Sequence, residues 1–212
     1  MSEKSIERKH EERKSAFEKI YDEGYWGSDV RSGAGSTLDA TRVVREIILN
    51  ILKERGIKTI TDVACGDFTW MPRVLEKAGE DISYLGCDLV ESIINRHKEN
   101  YPQYSFKCLD IVEGNIPKSD LVICRDVLQH LPIKDIKKAI NNISNSGSKY
   151  LLATTYLRRF GLRNKRNICP GKCRDRNLLA SPFNLPDPII IYSEQYNNNK
   201  FLCLWELPVE CN

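Results

Sequence analysis

Several apolar runs of this sequence stop on charged residues. Ile60 to Val63 carries Asp62 and enters the turn Ala64-Cys65-Gly66-Asp67-Phe68; the next runs stop at Asp88, at Asp110 and at Arg125-Asp126, with His130 four residues further on. Carboxylates that recur in this way accept hydrogen bonds from hydroxyl and amino groups and repel phosphates. The turn holds one glycine, Gly66, whereas a dinucleotide site uses Gly-x-Gly-x-x-Gly with a helix start facing the pyrophosphate. The pattern fits a nucleoside without phosphates. Asp67 would equally serve as an ordinary cap for the next helix.

The elements that must position these residues alternate. Strands are expected over 57–65, 83–88, 104–110, 119–126 and 149–157, and helices over 69–80, 92–101 and 133–144. Pro72 is acceptable in a first helical turn. Strands alternating with helices imply a mostly parallel sheet with helices on both faces, whose ligands bind beyond the carboxyl ends of the strands. The end of the chain differs: 187–194 and 200–207 are strand-like with only five residues between them, a hairpin that makes the last strand antiparallel and brings the sheet to seven strands. Before the sheet, Val43, Val44, Ile47, Ile48, Ile51 and Leu52 have helical spacing, with Gly56 placed to end the helix. Residues 1–16 lack an apolar stripe and read as a frayed helix or disorder, while Phe17, Ile20, Tyr21, Tyr25 and Trp26 suffice to dock a helical segment and its exit. The division is a leader and pocket lid over 1–40 and a main domain over 41–212.

With 212 residues there is room for one domain with a substantial core. No apolar run approaches the ~18 residues of a spanning helix, and the polar opening is no secretory signal, so a cytoplasmic protein is expected. That opening also suits a linker, and hence a domain of a larger protein. Of eight cysteines, Cys65, Cys87, Cys108 and Cys124 fall near strand ends as buried thiols, and Cys169/Cys173 form a close pair without the second pair a zinc site needs; no metal is expected. The net charge of +3 is uninformative, but Arg158 to Arg176 is a long, strongly basic segment. Such runs are solvated loops, or in a compact domain a functional lid.

These motifs, in this order, resemble the class I S-adenosylmethionine-dependent methyltransferases over residues 50–207, a Rossmann-like fold. The resemblance implies S-adenosyl-L-methionine as cofactor, with Asp62, Ala64, Gly66 and Asp67 in the first motif. It gives Asp88, with Leu89, the ribose hydroxyls, Asp110 and Ile111 the adenine, and places Arg125 at the fourth strand end. Ala64 and Phe68 replace two family glycines, so Phe68 must turn away or pack beneath the turn. A narrower similarity, carried by SGAGST, CGDFTWM, CRDVLQHL and SPFNLP, is to small methyltransferases of glycan-assembly loci and to domains of algal-virus glycan-building proteins. It implies O-methylation of a sugar, such as the deoxyhexose rhamnose, in a glycan or activated-sugar acceptor.

A sugar hydroxyl attacks poorly while protonated, so a general base within about 3 Å would contribute ~10²–10⁴-fold. Of the three histidines, His10 lies in the polar leader and His97 on an exposed-looking helix, leaving His130. If 126–130 turns helically, Asp126 shares its face and can orient the imidazole. Asp126 could itself be the base or hold the cofactor's ammonium, and His130 could be structural. Trp26, Ser36 and Thr37 are expected over the pocket, with core packing and helix capping as the plainer readings. Tyr156 and Asn184 are acceptor-side candidates. Two rivals stand beside the sugar reading. One is a nucleic-acid methyltransferase using the basic run, which is disfavoured because Phe160 is the only aromatic within it. The other is a non-catalytic, cofactor-binding regulatory module.

Overall fold

The computed structural model describes residues 3–27, 30–157, 164, 166–195 and 199–211. The elements, in chain order, are α1 (Glu3–Glu23), α2 (Arg42–Glu54), β1 (Thr59–Val63), α3 (Met71–Ala78), β2 (Ser83–Asp88), α4 (Glu91–Asn100), β3 (Ser105–Cys108), β4 (Leu121–Cys124), α5 (Ile133–Ser144), β5 (Tyr150–Tyr156), β6 (Ile190–Ser193) and β7 (Lys200–Glu206). A short 3₁₀ turn over Ala34–Ser36 precedes α2, and another over Leu128–His130 comes after β4.

The seven strands pair in the order β3-β2-β1-β4-β5-β7-β6, with β7 antiparallel to both of its neighbours and every other pairing parallel. Strand order reverses between β1 and β4, which places the ends of β1, β2 and β3 on one side of the switch and the end of β4 on the other. This is the architecture expected from the alternation, hairpin included.

Side chains of the central strands alternate between two cores. Leu121, Ile123, Leu152, Leu202 and Leu204 join α2 and α3 on one face. Val122, Cys124, Leu151, Ala153, Cys203 and Trp205 join α5 on the other. Each large aliphatic side chain so buried contributes ~1.5–3 kcal/mol, so register is firmly set. Gly56, at φ 60°, comes after the last turn of α2 as expected.

Four local expectations need correction. Residues 3–16 are neither frayed nor disordered, because α1 is helical from Glu3. Its order comes from charge: Arg13 is 1% exposed, and Arg8–Glu12, Lys14–Glu18 and Lys19–Glu23 are paired one turn apart. His97 is 2% exposed, because α4 turns it under the first strand end, where its Nε2 lies 2.7 Å from the carbonyl oxygen of Gly66. Tyr25 does not dock but is 66% exposed, and Cys108 at the end of β3 is exposed too.

Candidate functional site

A cavity opens at the carboxyl edge of the sheet, over the switch point. Its floor is the turn after β1, and Asp62, Asp88 and Asp110 border it from three adjacent strands. Asp62 accepts a hydrogen bond from the Tyr84 hydroxyl at 2.9 Å, and burial drives its pKa up to about 7 against that stabilising contact. The two oxygens of Asp88 accept from the backbone amides of Gly66 (3.1 Å) and Val90 (3.0 Å); burial raises its pKa as well. Each Asp88 oxygen keeps lone-pair capacity for a hydroxyl.

The turn is tight because its backbone is left-handed at Ala64 (φ 70°), Gly66 (59°) and Phe68 (57°). Phe68 packs beneath it, 1% exposed, among the rings of Tyr84, His97, Tyr101, Tyr104 and Phe106. At Gly66 a Cβ would overlap the Ser32 hydroxyl. Ser32 belongs to a strap, residues 30–37 ahead of α2, that borders the cavity with Ser32 and Ser36. Its amide donates to Asp67 Oδ2 (3.1 Å), the Asp67 amide donates to Ser32 Oγ (2.9 Å), and Tyr21 bonds the same hydroxyl (2.9 Å). Asp67 therefore ties the strap down instead of capping a helix. Ser36 lines the cavity as expected, whereas Thr37 does not: its hydroxyl accepts from the Ala40 amide and donates to the Ala34 carbonyl, organising the turn into α2.

Across the switch point, Arg125 is 7% exposed, with its guanidinium 5.6 Å above the Trp70 ring. Its Nη2 donates to Gly35 O (3.0 Å) and Glu194 (2.7 Å), and Nη1 pairs with Asp126 (3.1 Å), but its buried Nε has no partner. Asp126 sits at φ 57° and accepts from Lys200 and from the Gln129 side-chain amide (2.9 Å). Burial pushes its pKa up, but Arg125 and Lys200 outweigh that and hold it well below the usual range. The expected orientation of His130 by Asp126 is not made: the chain turns 3₁₀ at 128–130, and no hydrogen bond joins the two among the described residues. The His130 Nδ1 lies 3.2 Å from the Lys172 carbonyl, its ring stacks on Trp26 (4.4 Å between centroids), and burial lowers its pKa.

Of the residues expected here, Trp26, Ser36, Asp62, Ala64, Gly66, Asp67, Asp88, Leu89, Asp110, Ile111, Arg125, Asp126 and His130 border the cavity. Tyr156 and Asn184 do not. Arg13, Phe17, Tyr21, Ser32 and Trp70 border it unforeseen. Of these, Phe17 and Tyr21 carried a signal as apolar residues of the leader, and Ser32 and Trp70 fall within the stretches SGAGST and CGDFTWM without having been singled out; nothing in the sequence marks Arg13.

In the basic segment, Arg158, Arg159, Phe160, Arg163 and Lys165 lie outside the described residues. Arg166, Lys172 and Arg174 are exposed, while Arg176 is 1% exposed and donates inward to the carbonyls of Arg166 (2.9 Å) and Leu131 (3.4 Å). Among the described residues no group is arranged to hold a metal ion, and no helix is long and apolar enough to cross a membrane.

Residues 61–146 match the family described as "Methyltransferase domain". The chain is 35% identical over 108 residues to "Putative methyltransferase 235L" of Invertebrate iridescent virus 6, an alignment that spans 50% of this chain and 40% of that protein's length. Among solved structures it is similar to the N-methyltransferase NodS of Bradyrhizobium japonicum in complex with S-adenosyl-L-homocysteine (TM-score 0.59, 14% identity, 89% of this chain and 98% of that one). It is also similar to magnesium protoporphyrin IX methyltransferase of Synechocystis (TM-score 0.56, 14% identity, 79% and 84%) and to human N-acetylserotonin methyltransferase (TM-score 0.57, 14% identity, 80% and 54%).

Proposed function

We propose that this chain, a class I S-adenosylmethionine-dependent methyltransferase by fold and motif, methylates a hydroxyl oxygen of a sugar. S-adenosyl-L-methionine suits the cavity. Asp88 offers acceptors to ribose hydroxyls, Asp110 to an amino group, and the unpartnered Nε of Arg125 offers a buried donor to a carboxylate. Structural neighbours crystallised with this cofactor or its demethylated product support the assignment. When bound, the cofactor supplies an activated methyl group on a sulfonium. The chain's own task is to hold the acceptor in line and to take its proton.

The observation that carries the oxygen assignment is the state of His130. Its Nδ1 faces a carbonyl, so the proton sits there and Nε2 is the acceptor; burial keeps the ring neutral. A hydroxyl needs such a base, whereas a neutral amine already has its lone pair. Trp26 holds the imidazole plane, and Asp126, clamped by cations, is the poorer base. Tyr25, exposed beside Trp26 with Lys172 5.8 Å from its ring, offers a surface on which a sugar ring can rest. The motif similarity to glycan methyltransferases favours the same acceptor. Methyl transfer from labelled cofactor to oligosaccharide, nucleotide-sugar and RNA acceptors tests this, and cofactor binding with no transfer to any acceptor would point to a regulatory module.

A further inference from the structure

Asp110 is gripped from α1, the helix that also brings Phe17 and Tyr21 to the cavity wall. Three N–H groups of α1 converge on its Oδ2: Arg13 Nη2 at 2.7 Å, Arg13 Nε at 3.2 Å and His10 Nδ1 at 2.8 Å. The same guanidinium reaches Asp135 (3.2 Å) and Glu113 (3.4 Å), so one buried cation joins three carboxylates, two from the turn after β3 and one from α5. The other oxygen, Oδ1, accepts the Val112 amide alone among the described residues, at 2.8 Å. Arg13 and Asp110 both border the cavity.

Resting on the nucleoside reading above, we propose that Arg13 is a positioning residue that makes Asp110 select a base carrying an exocyclic amino group over one carrying an oxo group there. Oδ2 is saturated from the α1 side, which leaves the remaining lone pair of Oδ1 for a ligand. Burial alone would push this carboxyl toward its protonated form, but Arg13 and His10 outweigh burial and hold its pKa below the usual range. An ionised carboxylate can only accept, so it bonds an amino group and repels a carbonyl oxygen. Without Arg13, the buried carboxyl takes up a proton, can donate, and tolerates either base. Arg13 thus acts through Asp110 by fixing its charge and its rotamer.

Calorimetric titration with S-adenosylhomocysteine and with S-inosylhomocysteine, which differs by oxo for amino, tests this. Wild type is expected to favour the adenosyl ligand by at least about tenfold, the lower range for discrimination at a buried polar group. Arg13→Gln is expected to bring the ratio below about threefold, chiefly by weakening the adenosyl ligand; Arg13→Lys, with the charge but not the fork, falls between. A folded Arg13→Gln with the wild-type ratio overturns the proposal. Should that variant not fold, Arg13→Lys carries the test, and an unshifted ratio there overturns it. Wild type binding neither ligand overturns the nucleoside reading, and this inference with it.

Discussion

The Nδ1 of His130 lies 3.2 Å from the backbone carbonyl oxygen of Lys172. A carbonyl only accepts, so this contact fixes the tautomer and leaves Nε2 as the proton acceptor of a ring that borders the cavity. The Lys172 loop is held in place by Gly171, whose amide donates to the His130 carbonyl at 3.0 Å. Loop and imidazole are therefore positioned as one unit.

Burial lowers the His130 pKa, so the neutral form, the one the proposed mechanism requires, dominates at and above neutrality. kcat/KM should rise with pH to a plateau, with a midpoint below the ~6.5 of an ordinary histidine. His130→Gln should lower kcat by ~10²-fold or more and leave S-adenosylhomocysteine affinity within about twofold. Unchanged turnover in that variant removes His130 from the mechanism.

Asp126 behaves differently. Arg125 and Lys200 flank it, and Glu194, 0% exposed at its side chain, completes the cluster. Asp126→Asn leaves those buried cations short of a counter-charge and should cost about 3 kcal/mol in denaturant unfolding. Removing a negative charge near His130 should also move the pH midpoint of activity downward while keeping the rising limb. Loss of that limb in a folded variant would make Asp126 the base.

Asp62 gives a pH signature in stability. Its folded pKa, about 7, lies above its unfolded value. Its favourable contribution is thus complete below the unfolded value, near 4, declines as pH rises, and is gone above about 7. Asp62→Asn does not titrate, so its melting temperature relative to wild type should climb between pH 5 and about 7 and then level. A constant difference across that range contradicts the buried, protonating carboxyl.

The fold was legible because both of its signals are local. Strand and helix periods alternate along the chain, and the five-residue link at 195–199 leaves no room for a crossover. Strand-end carboxylates were legible for the same reason, since topology brings every parallel strand end to one edge. What escaped were contacts made across the chain. Arg13 meets Asp110 97 positions away, Ser32 meets Asp67 35 away, and His97 is drawn inward by Gly66 31 positions away. A buried arginine and an exposed one look alike in α1, because burial is decided by the carboxylates of other segments. The helical pairing of Asp126 with His130 failed for a local reason, a left-handed residue followed by a 3₁₀ turn.

Gly66 couples turn and strap. A Cβ there would overlap Ser32 in a backbone already at φ 59°. Gly66→Ala should cost at least about 1 kcal/mol of stability and expose the strap to proteolysis. Ligand affinity should fall with it, because the amide of Gly66 holds Asp88 in place. A variant with wild-type protease resistance and affinity would show that the strap does not rest on this turn.

The most direct measurement is transfer of a labelled methyl group from S-adenosylmethionine to three acceptors, an oligosaccharide ending in a deoxyhexose, a nucleotide-sugar and RNA, at about 50 and 200 mM salt. The account predicts an alkali-stable methyl ether on a sugar hydroxyl, abolished in His130→Gln and changing by less than about threefold with salt. Label in RNA alone, with affinity falling by orders of magnitude over that range, or label on nitrogen with His130→Gln fully active, would contradict it.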